Sequence, residues 1–130
     1  MTLSSVLVAG TGLGLSAAVA LARGGAEVAI VAPATAREAV DDLADLSALG
    51  IEVRLGVALV GVLDVDSHVE AELSNGRVEN YDAVLIADGP TAVRVGADAA
   101  DSHRVGRIDD AADVDRWVGR LSRPRARDAG

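Results

Sequence analysis

An α/β three-layer sandwich, with a parallel sheet and a three-stranded antiparallel meander, is the fold this sequence predicts. Three observations predict it. The run Val6-Leu7-Val8-Ala9 ends in alternating glycines at Gly10, Gly12 and Gly14, and an alanine-rich helical pattern follows at once. Apolar runs then alternate with helix-period segments as far as Leu55, the β-α-β-α-β order that implies parallel strands joined by right-handed crossovers. From Val57 the period drops to two, and Asn75-Gly76 separates two alternating runs, a strong hairpin signal.

Each element has its own justification. Leu3 to Ala9 is nearly continuous apolar chain, the pattern of a strand buried on both faces of a parallel sheet. Leu15, Ala18, Val19 and Ala22 recur at helical spacing, and Gly24-Gly25 stops that helix. Glu27 to Val31 is the second strand, broken by Pro33. Thr35 with Glu38 has the spacing of a capping box, and the helix after it carries Val40, Leu43, Leu46 and Leu49 inward and Asp41, Asp42 and Asp45 outward. Gly50 ends it and Ile51 to Leu55 is the third strand. Val57–Leu63, Ser67–Leu73 and Arg77–Glu79 form the meander. Tyr81 to Ala87 returns to the sheet, and Asp88-Gly89-Pro90 turns at its carboxyl end. Asp109 to about Leu121 is a final helix with Ala112, Val114, Trp117, Val118 and Leu121 as its apolar positions. Residues 1–121 thus read as one domain, and residues 122–130 as a disordered Arg-rich tail.

Composition removes many function classes. The chain has 130 residues, no Cys, no Phe, and only Trp117 and Tyr81 as aromatics, so its core is built from Val, Leu, Ile and Ala. Every basic residue is Arg, which excludes a P-loop lysine and a Schiff base. Without Cys there is no thiol redox centre, cysteine-ligated zinc or iron–sulfur cluster. A formal net charge of −8 argues against a nucleic-acid partner. No apolar run reaches the length of a membrane span and no charged segment precedes the first strand, so a soluble, cytoplasmic domain is expected.

The strand–glycine–helix opening is that of a Rossmann-like nucleotide-binding unit. Gly10 can make the tight turn, and Gly12 lets backbone approach a pyrophosphate at the helix N-terminus. Read from Gly10, the G-x-G-x-x-G pattern puts Leu15 at its third glycine; read from Gly12, it ends at Ala17. The expected cofactor-binding residues are Gly10, Thr11, Gly12, Leu13 and Gly14, with Ala32 and Pro33 at the end of the second strand and Asp88 and Gly89 at the end of the return strand. The second strand ends Val31-Ala32-Pro33-Ala34, with no acid for a ribose hydroxyl and no Arg for a 2′-phosphate beside it. Arg37 lies a few residues on, among acids that make it a surface salt-bridge partner.

Three stretches carry a family resemblance: Leu49-Gly50-Ile51-Glu52-Val53-Arg54-Leu55, then Leu73-Ser74-Asn75-Gly76-Arg77-Val78, then Tyr81-Asp82-Ala83-Val84-Leu85-Ile86-Ala87. In this order they resemble the NAD(P)-binding domain of two-dinucleotide-binding-domain flavoproteins. Leu15–Arg23 followed by Ala26–Pro33 is most similar to the C-terminal region of trimethylamine dehydrogenase and 2,4-dienoyl-CoA reductase, members of the flavin-containing old-yellow-enzyme group. The resemblance covers roughly Leu3 to Leu121. Ser102 to Ile108 looks like the point where such enzymes return to their FAD-type domain. The resemblance implies a nucleotide site at the glycine turn, and in trimethylamine dehydrogenase the equivalent domain holds ADP. Three departures stand beside it. This chain has neither the FMN barrel nor the iron–sulfur cluster of those enzymes. It has Gly106-Arg107 where their return motif has Gly-Asp. It also begins at a Met, which suggests a docking subunit, a trimmed relative or an excised fragment.

Other candidate chemistry is thin. His68 beside Ser67 and Glu70 reads as an exposed strand residue, and Asp101-Ser102-His103 cannot converge as a triad because its members are adjacent. The carboxylates of Asp41, Asp42 and Asp45, and of Asp109, Asp110, Asp113 and Asp115, read as solvated helix faces rather than metal sites. The expected function is a small nucleotide-binding or assembly subunit of a flavin-dependent oxidoreductase, not catalytic alone, with an ADP-like nucleotide or an empty site. Trp117, on the apolar stripe of the final helix, reads equally as core or as a partner-facing anchor, and the expected partner is a flavoprotein chain docked through that helix and the Arg-rich tail. Two alternatives stay open: a subunit that delivers hydride from NAD(P)H to a partner's flavin, and a stand-alone nucleotide sensor.

Overall fold

The first strand, β1 (Ser5–Ala9), is buried on both sides because its two faces serve two different cores. Val6 and Val8 point to a helical layer, while Leu7 and Ala9 point to a second sheet. The computed structural model describes residues 5–10, 13–32, 43–65, 68–87, 94–95 and 104–122. After β1 come α1 (Leu13–Arg23), β2 (Glu27–Ala32), α2 (Leu43–Ala48) and β3 (Ile51–Leu55). Then follow β4 (Leu59–Asp64), β5 (Val69–Leu73), β6 (Val78–Tyr81), β7 (Ala83–Ile86), β8 (Arg94–Val95), β9 (Val105–Arg107) and α3 (Ala111–Ser122).

Five strands form a parallel sheet in the order β3-β2-β1-β7-β9. One face carries α1, α2 and α3, whose Ala17, Ala18, Leu21, Leu46, Val114 and Trp117 pack on Val6, Val8, Val28, Ile30 and Leu85. The other face packs on β4, β5 and β6 through Leu59, Val62, Val69, Ala71, Leu73 and Tyr81. Those three strands are the expected antiparallel meander, and no helix interrupts the described residues between 57 and 79. The α/β Rossmann-like sandwich is therefore observed, with two additions. The short strand β9 extends the parallel sheet beyond β7, and β8 pairs parallel to β4, giving the second sheet a fourth strand.

Turn chemistry sets the boundaries. Helix α1 ends in a Schellman arrangement: Gly25 has φ 99°, its N–H donates to the Ala22 carbonyl at 3.1 Å, and the Ala26 N–H donates to the Leu21 carbonyl at 3.1 Å. Between β5 and β6, the Gly76 N–H donates to the Leu73 carbonyl and the Asn75 side chain accepts from the Arg77 N–H at 3.0 Å. The second helix is described only over Leu43–Ala48, where Leu46 is buried; the proposed cap at Thr35 and Glu38 lies outside the described residues.

At the final helix Asp109, Asp110 and Asp115 are exposed, as a solvated face requires, and the place of Trp117 is decided. The Asp110 carboxylate accepts from the Asp113 N–H at 2.9 Å, and the Asp113 carboxylate accepts from the Asp109 N–H at 3.0 Å. Part of that acidic run therefore caps α3, satisfying N–H groups that have no partner within the helix. Trp117 is only 8% exposed and sits in the helical core. It is not a partner-facing anchor. Its indole lies against Gly106 of β9, and the Arg120 guanidinium covers its ring at 4.8 Å from the centroid.

Candidate functional site

The carboxyl end of the parallel sheet is built around Gly10. Its φ of 116° lies in the region that side-chain-bearing residues rarely adopt, so the chain can turn sharply out of β1 only because residue 10 is glycine. The Gly10 N–H donates to the Val31 carbonyl at 2.9 Å, which ties the turn to the end of β2. Helix α1 begins at Leu13, so its first N–H groups open onto this turn. Gly14 then performs the close packing that the third glycine of the pattern usually performs. A Cβ there would stand 3.0 Å from both the Ala87 Cβ and the Val8 Cγ1, so the absence of a side chain brings α1 down onto β1 and the end of β7. Neither Leu15 nor Ala17, the residues suggested by the two spacings of the pattern, sits at that contact.

The sheet order gives this end its significance. Chain connections run outward from β1 toward β2 and β3 on one side, and toward β7 and β9 on the other. The crevice between β1 and β7 is the topological switch point, where open α/β sheets bind ligands at their carboxyl ends. Of the expected site residues, the structure brings Gly10, Leu13, Gly14 and Ala32 to this edge, Ala32 being level with Gly10 by strand register. Thr11, Gly12, Pro33, Asp88 and Gly89 lie outside the described residues.

A second polar group lies along the β3 edge of the sheet, and its cleft reaches back to the amino ends of β1 and β2. A cleft of about 710 Å³ is lined there by the early residues Ser5 and Glu27 of β1 and β2, by Glu52 and Arg54 of β3, and by Glu79 and Tyr81 of β6. One carboxylate oxygen of Glu79 accepts from the Arg54 guanidinium at 2.6 Å and from the Tyr81 hydroxyl at 2.6 Å. Glu52 accepts from the Arg54 Nε at 2.7 Å. The hydrogen bond from Tyr81 and the nearby Arg54 charge hold the Glu79 carboxyl below its ordinary pKa. Burial, then the bond to Glu79, raises the Tyr81 phenol, and the bond to Glu52 leads the causes that raise Arg54. Arg54 is thus engaged by two carboxylates and is not offered to a ligand phosphate. The cluster closes the open edge of the core between the two sheets. Sequence reading missed it because Arg54 and Glu79 stand 25 residues apart, each at a position that simple alternation marks as surface.

The cluster makes a pH prediction. A carboxyl whose folded pKa is depressed contributes stability above its unfolded pKa and loses it as pH falls through the folded one. Glu79→Gln is expected to lower stability by about 1–2 kcal/mol at neutral pH, discounted for its partial exposure. Below the ordinary Glu value of 4.5 the gap between variant and native chain should close progressively. Urea denaturation of both at neutral and acid pH measures this, and a gap independent of pH would refute it.

His68 lies just ahead of β5, half-buried, with Nε2 3.8 Å from a Glu70 carboxylate oxygen. His103 and the Asp101-Ser102 pair are outside the described residues. Among the described residues no helix is long and apolar enough to cross a membrane.

Solved structures share this architecture. RclA, a HOCl-induced flavoprotein disulfide reductase from Escherichia coli, is 23% identical with a TM-score of 0.56; the match covers 66% of this chain and 21% of that one. LpdA from Mycobacterium tuberculosis is 19% identical, with a TM-score of 0.55, over 64% of this chain and 20% of its own. A NAD-dependent persulfide reductase from A. fulgidus is 27% identical, with a TM-score of 0.57, over 66% of this chain and 18% of its own. The chain matches about a fifth of the length of these enzymes. No family model and no curated protein matches it. The chain thus shares its α/β Rossmann-like fold with part of these proteins, which agrees with the expected fold class and with the resemblance at its broader level.

Proposed function

We propose that this chain is the nucleotide-binding part of a flavin-dependent oxidoreductase. It holds an ADP-like nucleotide, or leaves the site empty, and assembles in the cytoplasm with a flavoprotein chain as a hetero-oligomer. The observation that carries the proposal is the glycine turn at the switch point, where Gly10 makes the bend and Gly14 seats the helix whose N-terminus faces the crevice. The finer likeness of Leu15–Pro33 to the trimethylamine dehydrogenase group supports ADP as the occupant. The absence of Cys and Lys from the chain supports a role that leaves electron transfer to another subunit. With Trp117 in the core, docking falls to exposed positions of α3 such as Arg116 and to the Arg-rich tail.

A second function is delivery of hydride from NAD(P)H to a flavin on the partner. The NAD-dependent persulfide reductase among the solved structures favours it. Purified alone, the chain is expected to be colourless, to oxidise no NAD(P)H with artificial electron acceptors, and to release an adenine nucleotide on denaturation, read by mass spectrometry. A bound flavin, or turnover of NAD(P)H by the isolated chain, would overturn the non-catalytic role.

A further inference from the structure

We propose that the chain pairs with a second copy of itself along the free edge of β3, the two strands running antiparallel about a two-fold axis at Val53.

β3 stands first in the order β3-β2-β1-β7-β9, so among the described residues no strand lies on its outer side. In a parallel ladder each residue turns its N–H and C=O to the same side, and that side alternates along the strand. The Gly56 N–H donates to the Ala32 carbonyl at 2.8 Å, so Gly56 faces β2, and with it Arg54 and Glu52. The backbone groups of Ile51, Val53 and Leu55 therefore point outward. Natural sheets guard such an edge by brevity, proline, bulges or clashing charge. The opposite edge, β9, is three residues long, whereas β3 runs for five residues without proline or a bulge.

The side chains of β3 select the partner. By register with β2, Ile51 and Val53 share a face with Val28 and Ile30 of the helical core, and Glu52 and Arg54 share the other face. Antiparallel pairing about Val53 sets Glu52 opposite Arg54 of the second copy and Ile51 opposite its Leu55, and symmetry repeats both pairs. Directly opposite Cβ atoms stand about 5 Å apart, where opposite charges attract. Arg54 already holds its own Glu52 at 2.7 Å, so the two copies complete a square of alternating charge. A parallel, in-register pairing would instead set Glu52 against Glu52 and Arg54 against Arg54. The backbone matches in the same register: Val53 exchanges two hydrogen bonds with Val53 of the second copy, and Ile51 and Leu55 exchange theirs on either side. The same patch serves both chains, so the assembly closes as a dimer. The β3 margin lies away from β9 and α3, which leaves the crevice between β1 and β7 open.

Sedimentation equilibrium of the full chain over a range of concentrations tests the pairing. The native chain is expected to pass from one copy to a dimer as concentration rises. Glu52→Arg sets arginine against Arg54 at both ends of the pair and should weaken dimerisation at least about tenfold, with the circular dichroism unchanged. The chain has no cysteine, so Val53→Cys places a single thiol at the two-fold axis. Cα atoms of such a pair lie about 5.5 Å apart, a distance that a disulfide spans. Under mild oxidation Val53→Cys should link into a covalent dimer much faster than Val78→Cys, which replaces an exposed residue of β6. A native chain that stays monomeric throughout would overturn the proposal and leave the edge to solvent or to a strand of another protein. A dimer that survives Glu52→Arg, with Val53→Cys linking no faster than Val78→Cys, would overturn it too, by placing the contact on another surface. If Glu52→Arg does not fold, the comparison of the two cysteine variants decides.

Discussion

Gly106→Ala is expected to bring the chain close to unfolding. A methyl group at that position would stand 2.1 Å from the Cε2 of Trp117, 2.2 Å from its Cζ2 and 2.5 Å from its Nε1. None of these atoms is the loose end of a flexible side chain. The indole is rigid, 8% exposed, and held in the helical core with Ile108, Val114 and Leu21. Either the ring must leave its site or α3 must lift from β9. Overpacking costs typically about 1–3 kcal/mol, and a rigid indole with no room to move puts this site at the upper end. That is a large share of the roughly 5–15 kcal/mol that stabilises a domain. A thermal melt of the variant measures the loss, and a midpoint within a few degrees of the native chain would refute the packing described. Combining Gly106→Ala with Trp117→Leu should cost less than the sum of the single changes, because the smaller side chain removes the clash.

The second large effect is on binding. Gly12→Val is expected to reduce affinity for any adenine nucleotide by at least about a hundredfold, about 2.7 kcal/mol, while the fold persists. Residue 12 stands between the bend at Gly10 and the first helical residue, Leu13. In the nucleotide site proposed above, phosphate oxygens would approach backbone N–H groups between the bend and the helix, and a branched side chain would crowd that approach. Titration of the variant, with circular dichroism as the folding control, decides the matter. Unchanged affinity in a folded variant would place the nucleotide elsewhere.

Much of the fold was legible because the chain writes its burial plainly. A strand with two buried faces reads as unbroken apolar sequence, as β1, β2 and β7 do, and Asn75-Gly76 marked its hairpin. The β9 strand was not legible as a strand. Val105-Gly106-Arg107 holds one apolar residue, and its pairing with β7 is a backbone matter that side chains barely announce. The glycine within it is explained by Trp117, a contact between two elements that no local pattern contains. For the same reason helical spacing put Trp117 on an apolar stripe without revealing what that stripe covers. At the candidate site, the bend at Gly10 was readable. The close-packing role of Gly14 was not, because the motif's spacing pointed to Leu15 or Ala17.

The central position of β1 has a consequence for how the chain comes into being. Its neighbour β2 follows within a few dozen residues, but its other neighbour β7 is distant in sequence, as the hydrogen bond from the Ser5 N–H to the Asp82 carboxylate across 77 residues illustrates. During synthesis, therefore, β1 to β3 emerge with one flank of the innermost strand unpaired, an apolar ribbon offering its backbone to any passing strand. It stays open until the whole meander has been made and β7 arrives. Such long-range closure favours folding in milliseconds to seconds rather than microseconds. A nascent chain halted before residue 82 should bind holdase chaperones, and one released after β9 should not.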